Sequence, residues 1–104
     1  EAHVGRPTLI LGALEGCEHC EAAKPAVAKV AAEVPGLQVV VRNVSKGEKF
    51  PVPEVYFPAF ALLDREGKVV ANTNATVLPN PITGDVLAAW IMRAAKRHQQ
   101  RSGR

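Results

Sequence analysis

Residues 8–20, Thr8-Leu9-Ile10-Leu11-Gly12-Ala13-Leu14-Glu15-Gly16-Cys17-Glu18-His19-Cys20, pass from a nearly unbroken apolar run through a glycine into two cysteines separated by two residues. A short apolar run of this kind marks a strand covered on both faces, and Gly16 breaks it. Beyond the cysteines, Ala22, Ala23, Val27, Val30, Ala31 and Val34 recur at three- and four-residue spacings, with Lys24, Lys29 and Glu33 between them. That pattern predicts an amphipathic helix over 18–34, ended by Pro35-Gly36. The two sulfurs therefore fall at a strand-to-helix junction.

Working outward, Val39-Val40-Val41 lies in a second β-branched run over 37–44. Strand, helix and strand in this length imply a right-handed parallel unit. Residues 45–54 are polar and carry Pro51 and Pro53, so they read as a loop with at most one helical turn. A third strand follows over 55–63, interrupted by Pro58, then the turn Asp64-Arg65-Glu66-Gly67 and a fourth strand over 68–73. The short turn makes these two an antiparallel hairpin. After a second loop, 74–81, Thr83 can cap a helix whose first turn holds Asp85 and whose apolar stripe is Val86, Leu87, Trp90, Ile91 and Ala94. The expected architecture is α/β, in the order β-α-β-loop-β-β-α. It predicts a mixed four-stranded sheet of order 2-1-3-4 with helices on both faces. One domain is expected over 1–98. Residues 99–104, with nothing apolar to bury, are expected to form a disordered basic tail.

Composition agrees with one core. The chain has 104 residues and 47% hydrophobic content, enough for one compact domain. Only five residues are aromatic, so Val, Ala and Leu must build that core. The net charge of +3 owes much to Arg93, Lys96, Arg97, Arg101 and Arg104. No aromatic residue is interleaved there, so no nucleic-acid partner is expected. No run approaches the roughly 18–20 apolar residues that cross a bilayer, so no membrane insertion is expected of this domain. The chain opens on Glu1 rather than Met, which fits a removed leader, an anchor or a further domain upstream. Two cysteines do not make a disulfide scaffold, so their closeness matters more than their number.

Cysteines at positions 17 and 20 of a helix start can close a small disulfide. The helix N-terminus there offers partial positive charge and free N–H groups that stabilise a thiolate. Cys17, at the first turn, is the expected exposed nucleophile. Cys20, one turn in, is the expected resolving thiol. A protonated His19 between them favours the thiolate of Cys17, whereas Glu15, Glu18 and Glu21 oppose it by charge. Other readings stand beside this one. The cysteines can be buried small hydrophobes, with His19 a solvated residue without a role. A half zinc site lacks ligands, since a structural site needs four and only His3, His19 and His98 remain. A Cu(I)-binding module also places two cysteines before a helix, but such folds usually end in a strand, and this chain ends in a helical pattern.

Taken together, residues 8–96 resemble the thioredoxin superfamily, on three marks: Cys17-Glu18-His19-Cys20 between strand and helix, Pro25 five residues after the second cysteine, and Phe57-Pro58 opening the run to Gly67. The last mark is similar to extracytoplasmic members of the TlpA and ResA kind. The resemblance implies a thiol–disulfide oxidoreductase with Cys17, Cys20 and His19 as catalytic residues and Phe57 and Pro58 as substrate-positioning residues. Pro58 stands where the superfamily has its cis-proline. The resemblance further implies no cofactor and no metal, protein thiols or disulfides as substrates, a redox partner protein, and an extracytoplasmic setting. The alternative is a non-enzymatic binding module on the same scaffold. Two departures are evident: Gly16 replaces the aromatic residue that often precedes the first cysteine, and Leu11 stands where thioredoxin itself has a buried acid.

Overall fold

The structure, a computed structural model, describes residues 6–51, 56–73 and 82–102, with side chains to residue 97. The loop expected over 74–81, and Pro53, Val55 and His3, lie outside the described residues, as does the side chain of His98. Among the described residues, four strands and two long helices follow in the predicted order: β1 (Thr8–Ala13), α1 (Glu18–Glu33), β2 (Gln38–Asn43), β3 (Ala59–Leu63), β4 (Val69–Thr73) and α2 (Gly84–Ser102). A single 3-10 turn, Val44–Lys46, opens the loop after β2.

The sheet order is β2-β1-β3-β4, as the pattern of runs predicted. β1 pairs parallel with β2, Thr8 opposite Gln38, and antiparallel with β3, Gly12 opposite Ala59. Every residue of β1 and β3 is buried, which is why both read as continuous apolar runs. The strand expected over 55–63 is shorter, because it starts only after Pro58, which has no N–H to give a ladder. The β3–β4 turn is tied by Asp64, whose Oδ1 accepts the N–H groups of Glu66 and Lys68 at 2.9 Å each.

Alternation along the strands sorts the core into two unequal faces. Leu9 and Leu11 of β1 and Phe60 and Leu62 of β3 point one way and form one cluster with Ala23, Ala26, Val27 and Val30 of α1 and Leu87, Trp90, Ile91 and Ala94 of α2. Phe60 and Trp90 meet there with ring centroids 6.5 Å apart. Ile10, Ala61 and Leu63 point the other way and pack with Val40 and Phe50. Both helices therefore lie on one face, where one on each face was expected. The physical reason is the size of the side chains that each parity presents. The face of Leu9, Leu11, Phe60 and Leu62 offers broad apolar surface to both helical stripes, at about 1.5–3 kcal/mol for each large side chain fully buried. The opposite face, carrying Gly12, Ala59 and Ala61, instead receives aromatic rings from loops.

The tail expected to be disordered from residue 99 is helical in its backbone as far as Ser102. Gln and Arg are good helix formers and can propagate an established helix without burying anything. At the other end of α2, Thr83 caps as expected: its Oγ1 accepts the N–H of Val86 at 3.2 Å.

Candidate active site at the strand-to-helix junction

The chain leaves β1 at Ala13 and must reverse into α1 within four residues. It does so through a β-turn, Leu14-Glu15-Gly16-Cys17, closed by the N–H of Cys17 on the carbonyl of Leu14 at 3.3 Å. Gly16 takes φ +75° in this turn, a backbone region that residues with a Cβ rarely adopt, and among the described residues beyond its chain neighbours no atom stands within 4 Å of where its Cβ would be. Glycine at position 16 is thus a demand of the turn, which explains why no aromatic residue stands there.

Cys17 is the N-cap of α1, with extended backbone (φ −83°, ψ 111°). Its Sγ accepts the N–H of Cys20 at 3.1 Å, and its carbonyl accepts the N–H of Glu21 at 3.1 Å. The sulfur therefore sits at the point where the helix offers unpaired N–H groups and the positive end of its dipole. Cys17 and Cys20 are joined as a disulfide with Cα atoms 5.2 Å apart. The two differ in access: Cys17 is half-buried and Cys20 is fully buried. Glu18 and His19 between them are exposed, and Glu21 pairs with Lys24 at 2.9 Å on the surface. α1 continues through Pro25, which is exposed, as is Glu21, whose carbonyl loses its helical partner there.

The other predicted site residues come from the start of β3. Because β3 runs antiparallel to β1 from the Gly12–Ala59 pair, Pro58 stands at the same end of the sheet from which β1 delivers Cys17. The Phe57–Pro58 peptide bond is cis, and Pro58 is fully buried. The β1–β3 ladder begins at Ala59, so the backbone of Phe57 lies two residues outside it. The side chain of Phe57 does something the sequence reading did not foresee. Its ring lies over Gly12 together with that of Phe50, the two edge to face with centroids 6.0 Å apart. Gly12 has no side chain there because a Cβ would stand 2.7 Å from Phe50 Cδ1 and 2.9 Å from Phe57 Cε1. Leu11 is fully buried in the apolar cluster under the helices.

The same architecture occurs in solved structures. Thioredoxin F from spinach chloroplast superimposes with a TM-score of 0.69 at 20% sequence identity, over 90% of this chain and 74% of that one. The chain has the thioredoxin fold. The thioredoxin of Fasciola hepatica matches with a TM-score of 0.66 at 20% identity, over 89% of this chain and 85% of that one. A secreted Mycobacterium tuberculosis disulfide oxidoreductase, homologous to E. coli DsbE, matches with 0.63 at 22% identity, over 91% and 84%. No protein-family model matches the sequence, and no curated protein matches it. Within this thioredoxin fold the junction of β1 and α1 holds the only two cysteines of the chain.

Sequence reasoning missed two contributors, the ring pair over Gly12 and the contact that holds the turn from outside. The Glu15 N–H donates to Ser45 Oγ at 2.9 Å, across thirty residues of sequence. The signal for the second was the polar set Asn43, Ser45 and Glu48, spanning the end of the second strand run and the start of the loop after it.

Proposed function

We propose that this chain is a thiol–disulfide oxidoreductase acting on protein thiols and disulfides. The observation that carries the reading is the asymmetric disulfide at the helix cap: one cysteine half-buried at the N-terminus of α1, the other fully buried one turn inside. The thiolate of reduced Cys17 attacks a substrate disulfide, forming a mixed disulfide and releasing one substrate thiolate, which takes a proton. Cys20 then gives up its proton and attacks the Cys17 sulfur, which expels the second substrate thiol and leaves the pair oxidised. Run backwards, the same two steps oxidise a substrate dithiol. A redox partner protein restores the starting state in either direction.

His19, exposed beside Cys17, adds positive charge when protonated and favours the thiolate. Pro58 and the Phe57 backbone, at the same sheet end, orient an extended substrate segment by main-chain pairing. An extracytoplasmic setting belongs to the same reading. Its support is the likeness to the secreted mycobacterial enzyme.

Insulin reduction with a thiol reductant tests the proposal. Wild type is expected to accelerate turbidity and Cys17→Ser is expected not to. Equal traces would point instead to a docking module on the same scaffold. The reduction potential of the pair then gives the direction of use, near about −120 mV for an oxidant or about −270 mV for a reductant.

A further inference from the structure

The β-turn that delivers Cys17 uses two of its own groups, the Leu14 carbonyl and the Cys17 N–H. That leaves the Glu15 N–H without a partner inside the turn. Ser45 supplies one: its Oγ accepts this N–H at 2.9 Å from the 3-10 turn after β2. The position of Ser45 is itself fixed from both sides. Asn43 and Glu48 clasp the turn reciprocally, the Asn43 N–H donating to Glu48 Oε1 at 2.6 Å and the Glu48 N–H to the Asn43 carbonyl at 3.3 Å. Within this clasp, the Gly47 N–H closes on the Val44 carbonyl at 3.1 Å. Ser45 thus stands on a small closed unit attached to the end of β2, and β2 pairs with β1 as far as Asn43 opposite Ala13.

On the reading that the Cys17–Cys20 pair exchanges disulfides, we infer that Ser45 is a positioning residue for Cys17, holding the turn so that the two sulfurs stay within reach when the disulfide is open. Closing the disulfide costs little if the reduced sulfurs are already neighbours. The closing bond must recover more entropy if the turn wanders. Without Ser45 Oγ to accept it, the Glu15 N–H turns to water and Leu14 to Cys17 gains freedom only in the reduced form, because the disulfide itself limits it in the oxidised form. The dithiol is then favoured over the disulfide.

The test is the equilibrium of the full chain with glutathione. Protein dithiol and glutathione disulfide convert to protein disulfide and two glutathione thiols, so both atoms and electrons balance. Ser45→Ala is expected to lower this equilibrium constant about threefold, the share of one hydrogen bond felt by only one redox state. That corresponds to a potential about 14 mV more positive. Ser45→Thr keeps a hydroxyl and is expected to match wild type. Urea unfolding of both redox forms separates positioning from simple stability: a merely structural Ser45 would lower both forms equally and leave the glutathione equilibrium unmoved. An unshifted Ser45→Ala, or a Ser45→Thr shifted as far as Ser45→Ala, overturns the inference. Insulin reduction by wild type is recorded alongside. If wild type is inert to insulin, the enzymatic reading falls, while the glutathione equilibrium still decides the role of Ser45.

Discussion

Replacing Gly12 by alanine puts one methyl carbon into space that two aromatic rings already fill beside the site. The new Cβ would stand 2.7 and 3.0 Å from Phe50 Cδ1 and Cε1 and 2.9 Å from Phe57 Cε1. Relaxed carbon–carbon contacts lie at about 3.5–4.0 Å, so both rings must retreat by about 0.5–1 Å. Overpacking of this kind costs about 1–3 kcal/mol. The backbone of Gly12 lies outside the positive-φ region, so alanine adds no conformational strain and, by narrowing the unfolded ensemble, gives back about 0.4–1 kcal/mol. The net expectation is a loss of about 1–2 kcal/mol, or about 4–8 °C in Tm for each kcal/mol in a domain of this size. Urea unfolding of the oxidised protein reads it directly. A double-mutant cycle with Phe50→Ala sharpens the test, because two of the three close contacts belong to Phe50. Gly12→Ala should cost much less in the Phe50→Ala background, a coupling of at least about 0.5 kcal/mol. Additive costs, or a Gly12→Ala protein as stable as wild type, would refute the claim that the two rings occupy the space above Gly12.

Two further outcomes test the local geometry around the site. Gly16→Ala meets no steric neighbour among the described residues but must hold φ +75°, so it should destabilise by about 1–2 kcal/mol through backbone strain, and calorimetry should find Gly16→Asn milder. Thr83→Ala removes the Oγ1 that accepts the Val86 N–H and should cost about 1 kcal/mol by chemical unfolding, with no effect on the glutathione equilibrium of the cysteine pair.

Much of this molecule was legible in one dimension because its signals are local. A continuous apolar run broken by Gly16, a three-four periodicity after Cys20, a β-branched run at 39–41 and a four-residue turn at Asp64 each depend only on neighbouring residues. Together with the right-handedness of strand-helix-strand units, they determine the element order, the sheet order and the placing of both sulfurs at a helix start. Cys17 and Cys20 needed no tertiary information, since their spacing alone puts them within bonding distance at a helix cap.

What tertiary structure decided depends on contacts between distant segments. The face chosen by α2 follows from the balance of side-chain size between the two parities of β1 and β3, which becomes visible only once their register is known. The rings over Gly12 come from positions 50 and 57, and the turn at Glu15 is held by Ser45, thirty residues away. Periodicity carries no record of such meetings. It reports which side of its own element a residue occupies, and only the folded chain brings the partner to that side.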